Sequence, residues 1–227
     1  MIDVYALNVS SLDPDDKALR ALVGEARATA ASGFAHRSDR ALCLGAGLLL
    51  NVAAREYDKD ALLPLALEKS EHGKPYAPAL KNFFFNLSHS GEWAVAAFGN
   101  RPLGVDIQRL RPVSPELYLR FFTREECSYI LSKGGEARTS AFFELWTLKE
   151  SYLKATGLGL TLALSAFSIA VGEPVRLVRE GPHEPCAFAL CGFCDPDYCL
   201  ALAAIGEEPA EYRVHVLTLP EALAALR

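Results

Sequence analysis

The chain has 227 residues, enough for one large domain or two small ones around a substantial core. Hydrophobic residues make up 51% and charged residues 22%, a soluble globular mixture, and the formal charge of −5 argues against a general nucleic-acid binder, whose footprint is a basic face. No long apolar run suits a bilayer helix, and Met1-Ile2-Asp3-Val4-Tyr5 lacks the basic start of a signal peptide, so a cytoplasmic protein with its six cysteines reduced is expected.

In chain order, Val4 to Val9 alternates weakly as a first strand, and Asp13-Pro14-Asp15-Asp16 opens a helix with acidic residues in its first turn. Ser38-Asp39-Arg40 leads into Ala41 to Arg55, apolar nearly all round, the composition of a buried helix. Glu71 to Tyr76 is a turn, and Phe83-Phe84-Phe85 enters a strand that Asn86 to Gly91 follows. Trp93 to Phe98 is a short apolar strand, and Gly99-Asn100-Arg101-Pro102 turns the chain so that Leu103 to Ile107 returns as its hairpin partner. Helices are predicted at Pro115 to Phe122, Thr123 to Leu131 and Ser140 to Ala155, the second opened by the capping box Thr123-Arg-Glu-Glu126 and the third stopped at Gly157 and Gly159. Short β-type segments dominate from Ala166, and Glu221 to Arg227 forms a final helical turn. Strands and helices interleave without a βαβ cadence, which makes the class α+β.

Cys191-Gly-Phe-Cys194 has the spacing of a zinc or redox pair, with His183, Cys186 and Cys199 nearby. No second such pair closes a four-cysteine site. The flanking residues read as two apolar strands around an Asp195-Pro196-Asp197 turn, so structural cysteines are the expectation.

Three polar clusters are set in apolar elements. In Leu103-Gly-Val-Asp-Ile-Gln108 the two-residue period puts Asp106 and Gln108 on one face, either a solvated stripe on an edge strand or a pair of oxygen ligands. In Trp146-Thr-Leu-Lys-Glu150, Trp146, Glu150 and Lys154 stack at successive i,i+4 positions, as a surface ion pair or as a carboxylate for a cation and an ammonium for a phosphate. Asn86-Leu-Ser-His-Ser-Gly91 offers hydroxyls, amides and an imidazole, so Ser88 and His89 are either packed residues or phosphate donors. A carboxylate in an apolar run is costly unless a cation or hydrogen bonds compensate it, and two of them beside an anion-binding cluster suggest a magnesium-bridged phosphate.

Taken in order, the segments His72-Gly-Lys-Pro75, Phe85 to Ser90, Gly104-Val-Asp-Ile107, Phe121 to Glu126 and Leu145 to Lys154 resemble the 4′-phosphopantetheinyl transferases of the larger, surfactin-synthetase-activating type. The resemblance implies two pseudo-symmetric halves, residues 1–101 holding the coenzyme A nucleotide and 102–227 holding the metal and the docked carrier, with the ligands in a cleft between them. It implies an enzyme of the holo-[acyl-carrier-protein] synthase kind, moving the phosphopantetheine arm of coenzyme A onto a serine of an apo acyl or peptidyl carrier protein and releasing adenosine 3′,5′-bisphosphate. On the matching motifs, Asp106 and Glu150 would bind Mg²⁺ and Lys154 would lie near the pyrophosphate. Glu150 would also be the base for the serine hydroxyl. Arg37, Arg40, Lys74, Ser88 and His89 would contact coenzyme A. Gln108 departs from the pattern, since many relatives carry a second carboxylate there; an amide oxygen can ligate the ion but brings no charge. The expected protein is a monomer without nucleic-acid or membrane partners. The alternatives are a non-catalytic coenzyme-A- or carrier-binding protein of the same fold and a metal-dependent phosphohydrolase.

Overall fold

The structure is a computed structural model that describes residues 1–179 and 185–227; His183 lies outside the described residues, and so does the side chain of Leu160. The chain divides into two compact units, Met1–Arg101 with Tyr212–Arg227, and Pro102–Glu211. The closing segment therefore belongs with the first unit and not with the second half, which corrects the division at residues 1–101 and 102–227.

In the first unit, β1 (Ile2–Asn8) is followed by α1 (Lys17–Val23), α2 (Glu25–Ser32) and α3 (Arg37–Tyr57), then the short pair β2 (Glu68–Lys69) and β3 (Pro75–Tyr76), and finally β4 (Phe84–Ser90) and β5 (Trp93–Gly99). Asp16 caps α1, its carboxylate accepting from the Ala18 and Leu19 amides. The all-round apolar stretch of α3 is buried from Ala41 to Ala54, as its composition predicts. Asn51 is the polar exception, and it is satisfied: its Nδ2 donates to Leu22 O at 2.7 Å and its Oδ1 accepts from Leu65 N at 2.9 Å. Phe85 and Leu87 of β4 and Ala94, Ala96 and Phe98 of β5 pack into the same core as α3.

The second unit comprises β6 (Leu103–Arg109), α4 (Pro115–Phe121), α5 (Arg124–Leu131), α6 (Gly135–Thr156), β7 (Ser168–Ala170), β8 (Arg176–Arg179), β9 (Cys186–Cys191) and β10 (Tyr198–Ile205). Gly157, at φ 75°, gives α6 its left-handed C-cap. The three expected helices are present, and Thr123 and Glu126 form the expected capping box. The last segment, β11 (Tyr212–Leu217) and α7 (Leu219–Ala224), lies in the first unit.

Strand order is β11-β1-β5-β4 in one sheet and β6-β10-β9 in another. The expected β5–β6 hairpin does not form. Both edges of β5 are occupied, by β1 and β4, so the chain leaving Gly99 has no hydrogen-bonding edge there. Strand β6 pairs instead with β10, with Asp106 opposite Ala201 and Gln108 opposite Cys199. Each unit thus lays one long helix, α3 or α6, against an antiparallel sheet, and only the β1–β11 pair is parallel among the described strands. The class is α+β.

Among the described residues, the α6 core holds one buried polar atom without a hydrogen-bond partner. Tyr152 is fully buried against Phe167, with ring centroids 4.8 Å apart, and its hydroxyl has no hydrogen-bond partner. Burial pushes that hydroxyl's pKa up. Tyr152→Phe removes a desolvated donor and should raise stability by about 1 kcal/mol, read as a higher midpoint in urea unfolding. A lower midpoint would mean that the hydroxyl is bonded in solution.

Candidate active site

The site begins with a close approach. Gly104 on β6 lies so near α6 that a Cβ there would sit 2.1 Å from the Ser151 carbonyl oxygen and 2.5 Å from the Ala155 nitrogen. Two residues further on, the same strand face carries Asp106, 2% exposed and turned toward α6. Lys154 of α6 donates to Asp106 Oδ1 at 2.6 Å and to the Val105 carbonyl at 3.1 Å. Gln108 Nε2 donates to the other carboxylate oxygen, Oδ2, at 2.9 Å. The solvated-stripe reading of this strand therefore fails, because Asp106 is buried and bonded on both oxygens.

Glu150 lies one helical turn before Lys154 and is half-buried. Burial raises its pKa, the Asp106 charge raises it further, and Lys154 partly offsets both. The second unit thus gathers Asp106, Gln108, Glu150 and Lys154 into one cluster. Two carboxylates share it with one ammonium. Behind Gln108, Cys199 is hydrogen-bonded to Thr147 at 3.1 Å, and burial pushes its thiol up to about 11, so it stays protonated.

The remaining predicted residues lie in the first unit. Arg37 pairs with Asp13 at 3.1 Å at the start of α3 and is well exposed. Arg40 pairs with Asp15 at 3.7 Å, and its buried Nε has no hydrogen-bond partner among the described residues. Lys74 follows the β2–β3 turn, and desolvation by burial lowers its pKa to about 8. Ser88 and His89 are neighbours within β4, which runs on to Ser90 where the sequence reading has the strand followed by Asn86 to Gly91. Ser88 is buried on the face that Asn86 shares, while His89 points the other way and is exposed.

The whole chain also has recognisable relatives. A model of the 4′-phosphopantetheinyl transferase superfamily matches residues 102–203, and one of the 4′-phosphopantetheinyl transferase N-terminal region matches residues 14–100. The chain is 37% identical over 174 residues to the 4′-phosphopantetheinyl transferase Sfp of Bacillus subtilis (strain 168), covering 75% of this chain and 77% of that protein. It belongs to the 4′-phosphopantetheinyl transferase family. The 4′-phosphopantetheinyl transferase psf-1 of Bacillus pumilus matches at 30% identity over 98% of each chain.

Sequence reasoning missed two parts of this transferase. Lys149, grouped with the polar cluster of α6, is fully buried and faces the protein interior. It pairs with Glu126 at 2.8 Å and donates to the carbonyls of Leu164 at 2.7 Å and Phe167 at 2.6 Å. Its place on the apolar stripe with Phe142 and Leu145 was the available signal. The second omission is a cavity of about 290 Å³ beside Gln108, lined by Arg111, Val113, Leu117, Phe142 and Trp146 among others. Of the large apolar side chains of α4 and its C-cap, Tyr118 and Phe122 are core, whereas Leu117 is 37% exposed and Phe121 is half-buried with its ring 5.4 Å from that of Trp146.

Proposed function

We propose that the cluster of Asp106, Glu150 and Lys154 transfers the 4′-phosphopantetheine arm of coenzyme A to a serine of an apo acyl or peptidyl carrier protein, with Mg²⁺ as cofactor. The observation that carries this is a buried carboxylate, Asp106, ion-paired to Lys154 and electrostatically coupled to the half-buried Glu150, in a chain of this family. The donor set fits a hard divalent ion, which takes one or two protein carboxylates and fills the rest of its coordination with water and phosphate oxygens. Asp106 and Glu150 would hold it, with Gln108 as a neutral neighbour. Bound there, the ion would supply charge neutralisation to the pyrophosphate and the leaving phosphate.

Glu150 is suited to act as base. Its pKa is raised by burial and by Asp106, with Lys154 partly offsetting both, which moves it toward the operating pH where a base is most effective. The serine oxygen bonds to the phosphorus next to pantetheine, its proton passes to Glu150, and the bridging oxygen leaves with adenosine 3′,5′-bisphosphate. Lys154 holds an ammonium against the charge that develops on that oxygen. In the first unit, Arg37, Arg40, Lys74, Ser88 and His89 would bind the coenzyme. The buried, unbonded Arg40 Nε is the kind of donor an anion satisfies. The enzyme would act as a cytoplasmic monomer.

Lys74 gives this reading a pH dependence. The ammonium attracts the coenzyme phosphates, and in the free protein it is lost as pH rises through about 8. Coenzyme A affinity should therefore weaken above pH 8, with a proton taken up on binding, and Lys74→Met should flatten the profile. Calorimetry in buffers of different ionisation enthalpy measures the uptake, and an identical profile in the variant would remove Lys74 from the binding set.

The cavity beside Gln108 is the proposed carrier-docking surface. At a net charge of −5 the protein gains little from long-range attraction to an acidic carrier, so apolar contacts must supply the affinity. Leu117→Ala should raise KM for the carrier about fivefold, the equivalent of ~1 kcal/mol, and leave KM for coenzyme A unchanged. Equal increases for both substrates would argue against docking there.

Chromatography of coenzyme A incubations tests the function as a whole. Adenosine 3′,5′-bisphosphate should form only when an apo carrier is present. Its release without any acceptor would favour a phosphohydrolase, and its absence under all conditions a non-catalytic binding protein.

A further inference from the structure

Both oxygens of the Asp106 carboxylate are engaged within the second unit. The Lys154 ammonium lies 2.6 Å from Oδ1 and is steadied by the Val105 carbonyl at 3.1 Å, while the Gln108 amide lies 2.9 Å from Oδ2. The Asp106 side chain is only 3% exposed, so the ammonium stands in for the water that a buried carboxylate lacks. Nitrogen is the only end of the Gln108 amide that can face a carboxylate, because two acceptor oxygens would repel each other. A divalent ion on Oδ1 would sit a few ångströms from the lysine nitrogen, where like charges repel strongly at the effective dielectric of a protein site. Gln108 adds no negative charge to offset that repulsion.

Resting on the metal-bridged reading above, we propose that Lys154 is the resident counter-ion of Asp106 and excludes a divalent ion until coenzyme A is present. The phosphates of the coenzyme then offer the ammonium another partner, Asp106 is released to the ion, and metal and coenzyme enter the site together. Lys154 would therefore have two successive anionic partners, Asp106 in the free enzyme and a phosphate in the loaded one.

Paramagnetic resonance of Mn²⁺ tests this without turnover, since the signal of the free aquo ion falls as the ion binds. Wild-type enzyme should bind Mn²⁺ weakly alone. With saturating coenzyme A, after correction for the Mn²⁺–coenzyme complex, binding should be tighter. Lys154→Met keeps the aliphatic stem and removes the charge. Without coenzyme it should bind Mn²⁺ at least about tenfold more tightly than wild type, a lower bound for one unit charge a few ångströms from a divalent ion. Lys154→Gln should gain in the same direction, which guards against a folding defect in one variant, and Lys154→Arg should stay as weak as wild type. If neither neutral variant gains Mn²⁺ affinity in the absence of coenzyme, the counter-ion role is overturned. Transfer by the wild type in parallel keeps the two readings apart: transfer without a gain in the variants ends this inference alone. Neither transfer nor Mn²⁺ binding in the presence of coenzyme A ends the metal-bridged reading with it.

Discussion

Glu126→Ala should lower unfolding free energy by about 3–5 kcal/mol, the range seen when one partner of a buried ion pair is removed. Glu126 is 2% exposed and Lys149 is fully buried. One carboxylate oxygen accepts from Lys149 and from the Ile169 amide, both at 2.8 Å, and the other accepts from the Thr123 amide at 2.9 Å. Removing the carboxylate orphans two amides and a buried ammonium at once. The Leu164 and Phe167 carbonyls, and the Phe167 ring 4.1 Å from Nζ, compensate only part of that charge. The pair ties the start of α5 to α6 and to β7, so its loss should loosen the unit that carries the metal-side residues. Replacing both partners, Glu126→Leu with Lys149→Met, should recover most of the stability, because no buried charge remains. Urea unfolding of the three variants decides it. A loss below about 1 kcal/mol in the single variant would show that Lys149 finds another anion or reaches solvent.

Gly104→Ala should cut transfer activity by about a hundredfold while leaving the protein folded, since a displacement near 1 Å at a reacting site costs that much. The added Cβ meets the backbone of α6 at Ser151 and Ala155, and a helix backbone cannot rotate aside as a side chain can. Strand and helix must separate, and overpacking of this kind costs about 1–3 kcal/mol. The separation falls between Asp106 on β6 and Glu150 and Lys154 on α6, the two sides of the proposed metal site. Gly134→Ala is the control: its Cβ would meet nothing within 4 Å, and its φ of −118° suits any residue. Both variants should keep their circular dichroism, and only the first should lose activity. Full activity in Gly104→Ala would mean that the site tolerates a wider strand–helix gap than its geometry suggests.

Local pattern carried much of this molecule. The buried stretch of α3, the capping box at Thr123 and the glycine stop of α6 follow from composition and spacing within a few residues, and the structure keeps them. Asp106 stood out because an apolar strand leaves a carboxylate needing a partner, and the partner is Lys154. Pairing over long distances was not legible. The turn at Gly99 to Pro102 suggested a hairpin, yet the partner of β6 lies about a hundred residues on, because β5 has no free edge. The return of β11 beside β1 has no local signal either. Lys149 shows the limit of helical periodicity, which places a residue on a face without saying whether a buried anion such as Glu126 awaits it.

The most direct measurement is the intact mass of apo acyl and peptidyl carrier proteins after incubation with the enzyme, coenzyme A and Mg²⁺. The account predicts a carrier heavier by one phosphopantetheine. The increment should disappear when the acceptor serine is replaced by alanine, and also when the enzyme carries Asp106→Ala or Glu150→Gln. Unchanged mass for every carrier, or an increment that survives both enzyme substitutions, would contradict transfer at this site.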